Sequence, residues 1–129
     1  MTIRNHIEKL TFKGFKPSLI TVDYADVMKS SKAYDSLRHE LKLIYTELRN
    51  LAGDLNIPIW TASQANKESS KSDVVGLENL GEAYAKAQVA DVVLSISRKP
   101  MEKAEGTGRI FVAKNRAGRD GLLLSLIHI

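Results

Sequence analysis

Two short apolar runs in this 129-residue chain each lead into a side chain able to do chemistry. Leu19-Ile20-Thr21-Val22 ends in Asp23, and Ile57-Pro58-Ile59-Trp60-Thr61 leads through Ala62 and Ser63 to Gln64. If both runs are strands of an open α/β sheet, Asp23 and Gln64 lie at the carboxyl ends, where such sheets bind ligands. A carboxylate there can hold Mg²⁺ directly or through water. An amide on the next strand end can orient a water or sense a phosphate. Plainer roles stand beside these: Asp23 can simply cap the following turn, and Gln64 alone is a weaker signal still. Ser63 has no G-x-S-x-G surroundings of a hydrolase nucleophile. His6, His39 and His128 are scattered without metal-ligand spacing. The chain has no cysteine, which excludes disulfides, zinc-thiolate sites and cysteine nucleophiles.

Basic residues form the other chemical feature. The net charge is +4, and the pI is about 9.4. From Arg98 to Arg119 seven basic residues (Arg98, Lys99, Lys103, Arg109, Lys114, Arg116, Arg119) face only Glu102 and Glu105, so this stretch carries +5. Such a bias suits an anionic partner. Lys114 and Arg116 precede Gly118 and Gly121, and taken alone they read as the solvated turn of a hairpin. Residues 66–80 are polar and carry Lys67 and Lys71. These lysines can contact phosphates, or can be ordinary solvated lysines of a surface loop. No aromatic residue lies between 61 and 83.

The elements that must position these groups alternate along the chain. Ile3, Ile7 and Leu10 give a helical spacing over residues 2–13, stopped by Gly14 and Pro17. A strand over 19–22 follows, its continuous apolar character suiting burial on both faces. Leu37, Leu41, Ile44, Tyr45, Leu48, Leu51, Ala52 and Leu55 make one apolar helical stripe, with Ser30, Ser31 and Asp35 as start signals and Asn56 as the stop. The second strand covers 57–61, with Trp60 as a core residue. A short helix over 81–88 and strands at 92–97, 109–113 and from 122 onward complete the pattern. Strands separated by helices predict an α/β fold with a mostly parallel sheet and flanking helices. The composition, 43% hydrophobic and 26% charged, is that of one globular domain. No apolar run approaches the length of about 20 residues that spans a bilayer, and MTIRNHIEKL is too polar for a signal peptide. An intracellular protein is expected.

At this point the residues show a family likeness. LITVDYADVM resembles the Walker B strand of DnaB-like replicative helicases, within the RecA-like ATPases. LAGDLNIPIWTASQANK resembles the helix, strand and glutamine that follow it, AQVADVVLSISR the next strand, and GRIFVAKNRAGRDG the segment with the basic finger. These blocks stand in the family's order over most of residues 17–121, and Tyr-Ala-Asp after Asp23 is closest to phage-type members. The resemblance implies that Asp23 is the Walker B carboxylate holding Mg²⁺. Gln64 would sense the γ-phosphate of ATP and couple it to a DNA loop that carries Lys67 and Lys71. Lys114 and Arg116 would reach ATP on the neighbouring subunit. Implied partners are single-stranded DNA, further copies in a ring of hexamer type, and primase. The implied place is the cytoplasm of a bacterium or phage-infected cell, with no membrane.

One part of such an ATPase has no counterpart here. None of the eight glycines gives G-x-x-x-x-G-K-[ST], so no phosphate cradle is present. The whole of 1–129 therefore reads as a partial RecA-like motor domain lacking its Walker A part, inactive towards ATP when alone. In the related fold, the strand before the phosphate loop lies between Ile57–Thr61 and Val92–Ser97, so its absence makes Trp60 and Leu94 candidates for exposure. Two other readings remain: part of a recombinase-type or clock-protein-type RecA-like ATPase, and a non-catalytic binding module with a degenerate nucleotide fold.

Overall fold

The computed structural model describes residues 2–29, 37–64 and 83–128, with only the backbone course given at 37, 38, 83 and 122–128. The chain divides into two compact units, Met1–Ser63 and Gln64–Ile129.

In the first unit, helix α1 spans Ile3–Phe12. Thr2 caps it by accepting from the Asn5 backbone N–H at 3.4 Å, and Ile7 is its buried residue. Strand β1 covers Ile20–Val22, followed by a 3₁₀ turn at Ala25–Val27. Helix α2 runs Leu37–Leu55, and strand β2 is Ile59–Thr61. The apolar stripe of α2 does what its spacing predicts: Leu41, Ile44, Leu48 and Leu51 are all buried. Leu41, Ile44 and Leu48 make the core with Ala25, and Ile3, Val22, Met28, Tyr45 and Ile59 pack against it. Asn56 ends the helix with φ at 52°, a left-handed conformation that asparagine tolerates better than most residues.

β1 and β2 pair in parallel, with Ile20 opposite Ile59, Thr21 opposite Trp60 and Val22 opposite Thr61. Pro58 stands just before β2 and still accepts from the Ile20 N–H at 3.0 Å. The two strands are covered on one face only, which corrects the expectation of burial on both. Ile20 is buried while Thr21 is exposed. Trp60, a core residue by its type but a candidate for exposure where the neighbouring strand is absent, is 60% exposed, and Leu94, the other candidate, is 40% exposed.

In the second unit, α3 spans Ala83–Val89, β3 Val92–Ser97, α4 Pro100–Ala104, β4 Thr107–Asn115 and β5 Leu122–His128. Here the pairing departs from the mostly parallel sheet expected, although the β4–β5 pair is the hairpin that Gly118 and Gly121 suggested. The order is β3-β4-β5, and both pairs are antiparallel. Chain length explains it. Residues 98–106 join β3 to β4, fewer than the dozen or so a parallel crossover needs. The connection from β4 to β5, residues 116–121, is shorter still. A Cβ at Gly118 would lie 2.7 Å from the Asn115 side-chain nitrogen, so glycine makes room there. Along β3, Val92, Leu94 and Ile96 are exposed while Val93, Ser95 and Ser97 are partly covered.

Candidate functional site

Asp23 is the first residue after β1, and its side chain is exposed. The parallel pairing of Val22 with Thr61 brings the carboxyl ends of β1 and β2 side by side, the placement expected of a ligand-binding strand end. Among the described residues no hydrogen bond or ion pair engages the Asp23 carboxylate. It is a hard oxygen donor open to a hydrated divalent cation, and one carboxylate suits Mg²⁺, which keeps several waters and takes the rest of its shell from phosphates. No group of three or more His, Cys, Asp or Glu with metal-binding geometry occurs among the described residues.

The turn that carries Asp23 is tied to β2 by side chains that the sequence reading did not single out for this. The Thr61 hydroxyl donates to the Val22 carbonyl at 2.9 Å and accepts from the Ala25 N–H at 2.9 Å. Asp26 accepts from the Tyr45 phenol at 2.8 Å on Oδ1 and from the Ser63 hydroxyl at 2.9 Å on Oδ2. Burial pushes the Tyr45 phenol well above its usual range, and the hydrogen bond to the Asp26 carboxylate pushes it further, against a smaller opposing effect of Ser63. The phenol therefore stays protonated and donates. One signal was available: a tyrosine inside an apolar stripe needs a partner for its hydroxyl when buried, and Asp26 is an acceptor close to a strand end. Gln64 follows Ser63 in the chain and is exposed. Lys67 and Lys71 lie outside the described residues.

In the second unit, Lys114 lies near the end of β4 and Arg116, exposed, in the turn that follows, and each has partners there. The Lys114 ammonium donates to the Ala87 and Gln88 carbonyls, both at 2.9 Å. These belong to the last turn of α3, where unpaired carbonyls and the helix dipole favour a cation. The Arg116 Nε lies 3.0 Å from the Asp91 carboxylate, both side chains about half exposed, and the Arg116 N–H donates to the Asp91 carbonyl at 2.9 Å. A second arginine, Arg109, pairs with Glu102 at 2.9 Å. Glu102 also accepts from the Lys99 N–H at 2.6 Å, closing the first turn of α4. That N–H, and then Arg109, hold the Glu102 carboxyl below the ordinary glutamate range.

Residues 1–126 match the family of DnaB-like helicase C-terminal domains. The chain is 34% identical over 128 residues to a probable plasmid replicative DNA helicase of Chlamydia trachomatis, covering 98% of this chain and 27% of that protein. It is 31% identical over 99 residues to the DnaB-like replicative helicase of Enterobacteria phage T4, covering 74% of this chain and 21% of that protein. The chain thus spans about a quarter of the length of these curated relatives. A solved DnaB-like replicative helicase, studied with its primase interactions, superposes with a TM-score of 0.76 at 21% identity, covering 95% of this chain and 31% of that one. A solved ATPase domain superposes at 0.72 with 22% identity, over 93% of this chain and 45% of that one. The fold is that of these RecA-like ATPase domains, in the α/β class read from the sequence. No helix among the described residues is long and apolar enough to cross a membrane.

Proposed function

Because this chain belongs to the DnaB-like helicase C-terminal domain family, we propose that it supplies part of the ATP-driven motor of a replicative DNA helicase. The observation that carries the reading is Asp23: an exposed, unengaged carboxylate at the carboxyl end of a strand in a parallel pair. In this reading Asp23 holds Mg²⁺, directly or through water, and the ion neutralises phosphate charge when bound. Gln64 reports the γ-phosphate of ATP to the following segment, where Lys67 and Lys71 take the backbone of single-stranded DNA. Lys114 and Arg116 act on ATP bound to the neighbouring copy in a ring, proposed as a hexamer. Primase is the proposed further partner, and the cytoplasm of a bacterium or phage-infected cell the place of action.

The two finger residues are not equally ready for that role. Arg116 would leave an exposed ion pair with Asp91, a pair of the kind worth only about 0–1 kcal/mol. Lys114 would give up two carbonyl hydrogen bonds. Arg116 is therefore the residue that reaches across, where its planar fork can neutralise charge building on the transferred phosphoryl group.

Subunit mixing in the full-length helicase tests this. Arg116→Ala and Asp23→Ala rings are each expected to lose hydrolysis, by about 10³-fold for the arginine. Mixed rings should recover part of it, since intact interfaces form where the two defects fall on different sites. No recovery at any ratio would refute action in trans.

A further inference from the structure

We propose that Asp26 is a positioning residue for this motor: it holds Ser63 and Tyr45, and so sets where the chain leaves β2 towards Gln64. The proposal rests on the assignment of Asp23 and Gln64 made above.

The geometry has three parts. First, Asp26 uses both carboxylate oxygens on hydroxyl donors, the Tyr45 phenol at 2.8 Å and the Ser63 hydroxyl at 2.9 Å. Both bonds go to a carboxylate, and such charge-assisted bonds are stronger than neutral ones. Second, the anchor is rigid. Tyr45 follows Ile44, which is 2% exposed, on the buried stripe of α2, and Asp26 follows Ala25, which is fully buried. Third, the tie acts beyond the strand ladder. The last β1–β2 partners are Val22 and Thr61, so Ser63 lies past the end of the pairing. Ser63 is exposed and contributes little burial. Its bond to Asp26 instead fixes the direction of the backbone one residue before Gln64. A side chain used in this way is the supporting shell a precisely placed group requires.

Thr61 and Asp26 thus do different things. Thr61 closes the turn after Asp23 at the level of the strands. Asp26 reaches one step further and couples that turn to the exit of β2. A change at Asp23 can pass to Gln64 through this carboxylate without any movement of the β1–β2 pairing.

The test is steady-state ATP hydrolysis by the full-length helicase, with and without single-stranded DNA. Asp26→Asn should lower DNA-stimulated kcat by about tenfold or more, the size expected for losing one charge-assisted hydrogen bond. The KM for ATP should stay within about twofold, because uniform binding is not what the residue provides. Ser63→Ala should show part of the same loss. The double variant should be no worse than Asp26→Asn alone, since both remove one interaction. Wild-type kcat in a folded Asp26→Asn ring, or losses that multiply in the double variant, would overturn the proposal. If Asp26→Asn does not assemble, Ser63→Ala decides: wild-type kcat there overturns it equally. Asp23→Ala and Gln64→Ala run alongside. If they lose turnover while Asp26→Asn keeps it, only the positioning role falls. If they too keep turnover, the assignment of the site itself has failed.

Discussion

The Thr61 side chain donates its hydroxyl proton to the main-chain carbonyl of Val22 across the parallel pair, 2.9 Å away. The same oxygen accepts from the Ala25 N–H at 2.9 Å, so one hydroxyl bridges both ends of the turn that holds Asp23. Ala25 is fully buried, and its N–H would have no ready access to water. Thr61→Val keeps the shape and removes both bonds. It should cost about 1–3 kcal/mol of stability, the range for leaving a buried donor unpaired. Thr61→Ser, which keeps the hydroxyl, should recover most of that. Urea midpoints measure the loss, and faster amide exchange at Ala25 locates it.

Lys114 and Arg116 should separate by stability as they do by environment. Lys114→Met leaves the Ala87 and Gln88 carbonyls without their cation and should destabilise by about 1 kcal/mol or more. Arg116→Ala breaks an exposed pair and should shift stability by less than about 1 kcal/mol. Thermal melts of the two variants check the order. A large Arg116→Ala loss of hydrolysis with an unchanged melt would then belong to chemistry and not to folding.

Glu102 gives a pH dependence with a definite sign. The Lys99 N–H and the Arg109 guanidinium lower its pKa in the folded chain from an ordinary value of 4.5. A group lowered on folding adds stability above its unfolded pKa and loses it as pH falls through the folded one. The stability gap between wild type and Glu102→Gln should therefore be constant near neutrality and shrink below about pH 4.5. Melting temperatures of both proteins across that range measure it. A gap that widens in acid would contradict the assignment.

The lysines after Gln64 are tested through salt. If Lys67 and Lys71 each meet one phosphate of single-stranded DNA, replacing one by alanine should reduce the slope of log affinity against log salt by about 0.7. The double variant should lose about twice that. Fluorescence titrations of the full-length helicase at several salt concentrations give the slopes. An unchanged slope in the double variant would move the DNA contact elsewhere.

Much of the first unit was legible because its signals are local. The stripe from Leu37 to Leu55 coincides with α2, and Asn56 stops the helix through its positive φ. Asp23 emerges where the run Leu19–Val22 ends, as a strand-end carboxylate should. The pairing of the last three strands was less legible, since a run such as Val92–Ser97 carries no mark of direction. Direction came from the length of the connection at 98–106, a constraint that periodicity does not report. Residue type alone argues for a core at Trp60, but alternation places it opposite Thr21 on the uncovered face of the pair, in line with the exposure expected from the absent strand. The Asp26–Tyr45–Ser63 set is spread over 37 residues. Only folding brings it together, so no spacing rule could have announced it.

The in-step register of β1 and β2 also bears on how this segment can vary in length. Ile59, Trp60 and Thr61 are each committed to one face by a partner across the pair. One inserted residue there would bring the Trp60 indole to the place of the Thr61 hydroxyl, and one deleted residue would bring Ala62. Either change turns a bridging oxygen into a group that cannot bridge, and swaps the two faces of the strand as well. Substitutions can accumulate along this stretch; gaps cannot, and a library that diversifies the segment should hold its residue count constant.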